Sequence, residues 1–386
     1  MIPYGRQYIT EADIEEVTKT LKSDFLTQGP KVKEFEEKFA DYTGAKYAVA
    51  VANGTAALHL SALALNVDEN SKIITTPMTF AASANCIRYC GGQVVFTDID
   101  PANVLIDLNK VQQLLASSPQ GTYQGIIPVD FAGYPVNLEL LRELADEYGL
   151  WILEDACHAP GGYFTDSRRI QQKCGNGIYA DLSVFSFHPV KHITCGEGGM
   201  ITTNNKNLYE RLLVLRTHGI TKNPEVIHEN HGGWYYEMQE LGFNYRLPDI
   251  NAALGISQLK RADERLQKRK AIAKKYDEVF AGTNIQLIKP AEGISHAYHL
   301  YVIQVDNRKG LYNYLKEHGI HAQVHYIPVH YQPYYAELGY NKECYPEARA
   351  YYEKCLSIPM YPTLTDQEQD FVIDKIVSFC GTKKSN

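Results

Sequence analysis

LELLRELADEYGLWILED, residues 138–155, changes period in mid-course. From Leu138 to Tyr148 the apolar residues recur at helical spacing. After Gly149 comes a short run that is apolar on both faces and ends in two carboxylates, Glu154 and Asp155. The same alternation extends outward in both directions. β-rich runs stand at 47–52, 72–76, 93–99, 125–130, 150–154, 182–187 and 199–203, and helical patterns such as Ala56–Leu65 separate several of them. Strands apolar on both faces and divided by helices imply an α/β architecture, with a mostly parallel seven-stranded sheet covered by helices on each side. Ligands of such sheets bind beyond the carboxyl ends of the strands, so the residues that follow each run are where chemistry is expected.

Upstream, Thr10-Glu11-Ala12-Asp13 has the form of a capping box, after which Ile14, Val17 and Leu21 share one helical face. A second helix over 30–43 turns Val32, Phe35 and Phe39 inward. Downstream, Asp249–Phe280 reads as one long helix. It is followed by a strand (His299–Val305), a helix (Leu311–His318), a strand near Ile320–Tyr326 and two further helices. The expected division is a large domain, 1–255, and a smaller C-terminal α+β domain, 256–386, with a frayed tail at Gly381–Asn386.

Composition narrows the function. The 386 residues carry a net charge of -7 and no dense Lys/Arg run, which argues against a nucleic-acid partner. No apolar segment approaches the roughly 20 residues that cross a bilayer. The eight cysteines form no Cys-x-x-Cys pair, and most sit in apolar stretches. That usage fits reduced thiols in the cytoplasm.

Three strand ends carry candidate chemistry. Asn53-Gly54-Thr55 joins a strand to a helix, where free N–H groups and the helix dipole favour an anion; a plain turn has the same sequence requirements. Asp155 could face the ring nitrogen of a cofactor or cap the next helix. Ser186-Phe187-His188-Pro189-Val190-Lys191 places an amine among apolar neighbours that lower its pKa, five residues after a hydroxyl. Anion cradle, carboxylate and amine together are the set that pyridoxal 5′-phosphate requires.

These motifs resemble those of the pyridoxal-phosphate-dependent sugar aminotransferases of the DegT/StrS family, on the aspartate aminotransferase-like, type I fold. The resemblance rests on Leu26–Pro30, Asn53–Leu58, Pro77–Phe80, Glu154–Ala159, Ser186–Lys191 and Gly242–Asp249, and it covers nearly the whole chain. It implies that Lys191 bonds the cofactor aldehyde and carries the transferred proton. Asp155 is implied to pair with the ring nitrogen, Phe80 to stack on the ring, and His158 to approach the phenolic oxygen, where many relatives have Gln. Gly54, Thr55 and Ser186 are implied to hold the phosphate, joined by Asn244 from a neighbouring subunit, so a homodimer is expected. Lys191 stands where dehydratases of the same family have His, which favours transamination from glutamate to a keto carbon of a nucleotide-linked sugar. The motifs look closest to the pseudaminic-acid branch, which aminates C4 of a UDP-linked 4-keto-6-deoxy-N-acetyl hexose of the L-altrose series; related branches that act on other 3- or 4-keto nucleotide sugars share most of them. By that resemblance residues 1–30 line the substrate site, and Tyr4, Asp24, Phe25, Leu26, Thr27, His325 and Tyr326 face the sugar nucleotide.

Other readings fit less well. His318, His321, His325 and His330 do not share the spacing of a zinc site, and no metal is expected. Pro224–Tyr245, rich in aromatics and His, reads as a loop covering a site and ordered by substrate. A regulatory protein on the same fold would have no use for an amine beside an electron-sink partner.

Overall fold

The computed structural model describes residues 1–381, so the tail expected at 381–386 lies, beyond Gly381, outside the described residues. All seven runs form strands of one sheet: β1 (Tyr47–Val51), β2 (Lys72–Thr75), β3 (Gln93–Phe96), β4 (Gly125–Ile127), β5 (Trp151–Asp155), β6 (Leu182–Ser186) and β7 (Gly199–Thr203). Their order across the sheet is β1-β7-β6-β5-β4-β2-β3. The pairs β6–β5, β5–β4, β4–β2 and β2–β3 are parallel. Only β7 runs against its neighbours β1 and β6, a reversal that apolar runs alone cannot signal.

Helices cover both faces. Helix Leu138–Tyr148 buries Leu138, Leu141 and Ala145; its start is capped by Asn137 and its end falls at Gly149, whose φ of 71° suits glycine. On the other side, helix Pro30–Thr43 buries Phe35 and Phe39 completely against Phe185 and Phe187. Leu182 and Val184 of β6, both fully buried, fill the middle of the sheet.

Beyond the sheet, a smaller unit is built on Gln286–Leu287, Tyr301–Gln304 and Cys355–Ile358, an antiparallel sheet. Helices Ala262–Phe280, Arg308–Glu317 and Asp366–Cys380 share its core, with Tyr276, Leu311 and Ile376 fully buried. The first residues of the chain join this unit: Ile2 pairs with Ile320, and the carbonyl of Tyr4 accepts the N–H of Met360 at 2.9 Å.

Three expectations are corrected. Residues 249–280 form two helices, Asp249–Leu259 and Ala262–Phe280, because Arg261 leaves helical geometry (φ -118°) and its guanidinium grips Asp13 at 2.6 and 2.7 Å. That grip also turns the polar side of helix Glu11–Leu21 inward. Asp13 and Thr20 are buried, while Ile14 and Leu21 remain half exposed. Finally, 320–326 is no strand. Ile320 and Gln323 make single bridges, and the segment then leaves the sheet to bring His325 and Tyr326 to the cavity described next.

Candidate active site

The carboxyl ends of β5 and β6 and the start of the helix after β1 open into one cavity of about 440 Å³. Tyr4, Gly54, Thr55, Phe80, Asp155, His158, Ser186, Lys191, His325 and Tyr326 all line it. Asn244 and the stretch Asp24–Thr27 do not; they are exposed elsewhere on the chain.

One end of the cavity is an anion cradle. The first intrahelical bond of Gly54–Ala64 runs from Ala57 N–H to Asn53 O at 3.0 Å, and the Asn53 side chain takes the N–H of Ala56 at 2.8 Å. The N–H groups of Gly54 and Thr55 precede these bonds at the positive end of the helix. Ser186 closes in beside them: a Cβ placed on Gly54 would lie 3.0 Å from that of Ser186. That contact is tighter than side chains normally make, so glycine leaves room beside the Ser186 hydroxyl.

Asp155 ends β5, buried and doubly held. Ser83 Oγ donates to its Oδ2 at 2.6 Å, and the N–H of Cys157 donates to Oδ1 at 3.2 Å. Thr79 in turn bonds Ser83 at 2.7 Å. Lys191 lies across the cavity at the end of a turn closed by its own N–H to His188 O at 2.9 Å. Burial lowers the ammonium pKa below the ordinary lysine value, opposed by the nearby Cys157 and Asp155. The amine is therefore brought closer to its nucleophilic, neutral form. Phe80 lines the same cavity and is 60% exposed.

Imidazoles surround the amine. His158 is tilted against His299 with ring centres 4.3 Å apart, and the His192 ring centre lies 5.7 Å from that of His299. Burial, then the Lys191 charge, holds His158 and His299 well below the usual histidine range and His325 at about 4. All three stay neutral at physiological pH. Sequence reasoning missed Ser83, Thr79 and His299. Ser83 sits in a helix start with no motif of its own, and His299 comes from far downstream of Lys191, next to the strands of the smaller unit.

Residues 7–377 match the DegT/DnrJ/EryC1/StrS aminotransferase family. The chain belongs to that family. This aminotransferase is 38% identical over 386 residues to the UDP-4-amino-4,6-dideoxy-N-acetyl-beta-L-altrosamine transaminase of Campylobacter jejuni, covering 98% of this chain and 97% of the relative. Among solved structures, it resembles the putative sugar aminotransferase Spr1654 from Streptococcus pneumoniae in its PMP form, with a TM-score of 0.90, 31% identity and 98% of each chain covered. It also resembles Helicobacter pylori PseC, an aminotransferase of pseudaminic-acid biosynthesis, with a TM-score of 0.89, 30% identity, and 98% and 99% of the two chains covered. The aminotransferase therefore has the type I fold expected from its sequence, and its cofactor is pyridoxal 5′-phosphate. The donor set fits that cofactor: N–H groups and a hydroxyl for a phosphate, a buried carboxylate for a ring nitrogen, and an amine of lowered pKa for an aldehyde. Among the described residues no helix is long and apolar enough to cross a membrane.

Proposed function

We propose that this aminotransferase moves the amino group of glutamate to the C4 keto carbon of a UDP-linked 4-keto-6-deoxy-N-acetyl hexose, in the biosynthesis of pseudaminic acid or a related glycan. The observation that carries the reading is one cavity lined by both Lys191 and Asp155 and, with them, by Tyr4, His325 and Tyr326. The choice of sugar is supported by the relative named for the altrosamine substrate and by the PseC likeness.

Bound pyridoxal phosphate supplies an electron sink through which an amino group changes carriers. The chain does the rest. Gly54, Thr55 and Ser186 would hold the phosphate. Asp155, fixed by Ser83, would pair with the ring nitrogen, and Phe80 would pack against the ring. Lys191 Nζ, kept labile by burial, takes and returns the proton at the reacting carbon. Tyr4, His325 and Tyr326 position the sugar.

The working unit in this proposal is a cytoplasmic homodimer. Asn244 lies outside its own cavity, on the flank of a loop that exposes Trp234 (74%), Met238 (64%) and Leu241 (78%). Such an apolar surface favours burial against a second copy, where Asn244 would reach the partner's phosphate. Asp24–Thr27, exposed in the same way, would face sugar at that junction.

Incubation with glutamate and a panel of 3- and 4-keto nucleotide sugars, with mass detection of the amine, tests the reading. Amination of the UDP-linked 4-keto-6-deoxy-N-acetyl hexose of the L-altrose series is expected. Turnover of another keto sugar alone would replace the substrate, and no amination of any would remove the function.

A further inference from the structure

Ala132, His158 and Tyr326 form a chain of donors that ends in the cavity. The N–H of Ala132 donates to His158 Nδ1 at 3.2 Å, and His158 Nε2 lies 3.1 Å from Tyr326 Oη. A backbone N–H can only donate, so Nδ1 must be the bare nitrogen of a neutral ring and the ring hydrogen must sit on Nε2. Nε2 therefore donates to the Tyr326 oxygen. His158 is the one partner of that hydroxyl among the described residues, so the hydrogen of Tyr326 is left free to be given elsewhere.

The backbone is arranged to enforce this. Ala132 adopts φ 58°, ψ 0°, a left-handed conformation unfavourable for a residue with a Cβ, inside a turn next to the end of β4. That conformation presents its N–H to the imidazole. The Tyr326 ring is pinned from several sides: His158 lies nearly parallel to it (23°), Phe131 and His325 meet it edge-on, and Phe80 is tilted against it at 6.2 Å. Burial, then Asp155, raises the phenol pKa, so the hydroxyl keeps its proton. A donor with a fixed ring, a fixed proton and an occupied lone pair lines the same cavity as Lys191.

We propose that Tyr326, held by His158, donates a hydrogen bond to an electron-rich oxygen in the cavity, and that His158 acts as its positioning residue and not as the contacting group. The acceptor is either the ring oxygen of the cofactor or the keto oxygen of the sugar; the inference rests on the function proposed above.

The test uses purified holoenzyme and the isosteric Tyr326→Phe variant, which removes one oxygen and keeps the ring packing. The readouts are the pH titration of the cofactor's visible band and kcat/KM for the keto sugar that the wild type aminates. If the acceptor is the cofactor oxygen, the band's midpoint moves by about one pH unit or more, the equivalent of a roughly tenfold change. If it is the sugar oxygen, the band titrates as in wild type and kcat/KM falls about tenfold to a hundredfold. His158→Phe is expected to reproduce the Tyr326→Phe change in the same readout, and His158→Gln, which keeps an N–H, to restore part of it. A Tyr326→Phe enzyme that matches wild type in both readouts overturns the proposal, as does a His158→Phe effect that persists undiminished when Tyr326 is already Phe. A wild-type protein that takes up the cofactor with no visible band would instead defeat the function proposed above.

Discussion

Glu154 and Asp155 are adjacent acids on β5 that point to opposite faces of the sheet, as successive strand residues must. Asp155 faces the cavity, where a serine hydroxyl and a backbone N–H hold it in place and leave it open to a ligand. Glu154 faces the protein interior, where it is buried. Its Oε2 takes the N–H of Gly175 at 2.9 Å, and its carboxylate, that of Asp130 and the Cys174 thiol lie within 4.8 Å of one another, all buried. Burial, then the Glu154 charge, pushes the Asp130 carboxyl well above the usual range. Two carboxyl groups buried this close disfavour each other's ionisation, and burial pushes Glu154 upward as well. The backbone N–H of Asp130 also bonds the carbonyl of Asp155 at 3.1 Å, so the interior pair fastens the strand end that carries the functional acid. The same residue type one position apart serves chemistry on one face and anchorage on the other. Environment decides which.

Substitutions on the two faces should therefore differ in kind. On the cavity side the largest effect is expected for Lys191→Ala, with amine formation falling by roughly 10²- to 10⁴-fold, the range that a positioned proton-transfer group supplies. Asp155→Asn should weaken cofactor retention by roughly 30-fold or more, the low end of what breaking a buried charge pair costs, as measured by equilibrium dialysis. Ser83→Ala removes one hydrogen bond to that carboxylate, and about a tenfold weakening in the same assay is expected. On the interior side, Asp130→Asn should leave the chemistry nearly intact and change the pH dependence of unfolding. Because the folded pKa of Asp130 is raised, its stabilising contribution is complete below the ordinary carboxylate pKa of about 3.9 and is lost as pH rises through the folded value. The amide does not titrate, so the variant's Tm should fall less than wild type's, by a few degrees, on raising pH across that window. A wild-type Tm that is flat there, or an Asp130→Asn enzyme as inactive as Lys191→Ala, would erase the distinction between the faces.

How much of this was written in the sequence follows from the same strand logic. The sheet and most of the cavity were legible because a strand apolar on both faces is recognisable, and the residues just after it are committed to one edge. Asp155, Ser186 and Lys191 all follow that rule. Ser83 and His299 do not. One reaches the site from a helix start and the other from the smaller unit, and neither position has a periodic or turn signal. The direction of β7 escaped because an apolar run has no polarity. The break at Arg261 escaped because it depends on a distant partner, Asp13, rather than on a local breaker. The exposed face of Ile14 and Leu21 was legible as a face, but which side it turned to was settled by that same ion pair.

The central claim is that the amine of Lys191 and the carboxylate of Asp155 serve one bound cofactor. The most direct measurement is the visible absorption spectrum of protein reconstituted with pyridoxal phosphate, recorded for wild type, Lys191→Ala and Lys191→Arg. Wild type is expected to show a band that is lost in both variants, together with transamination. A band and an activity that survive in Lys191→Arg would contradict it.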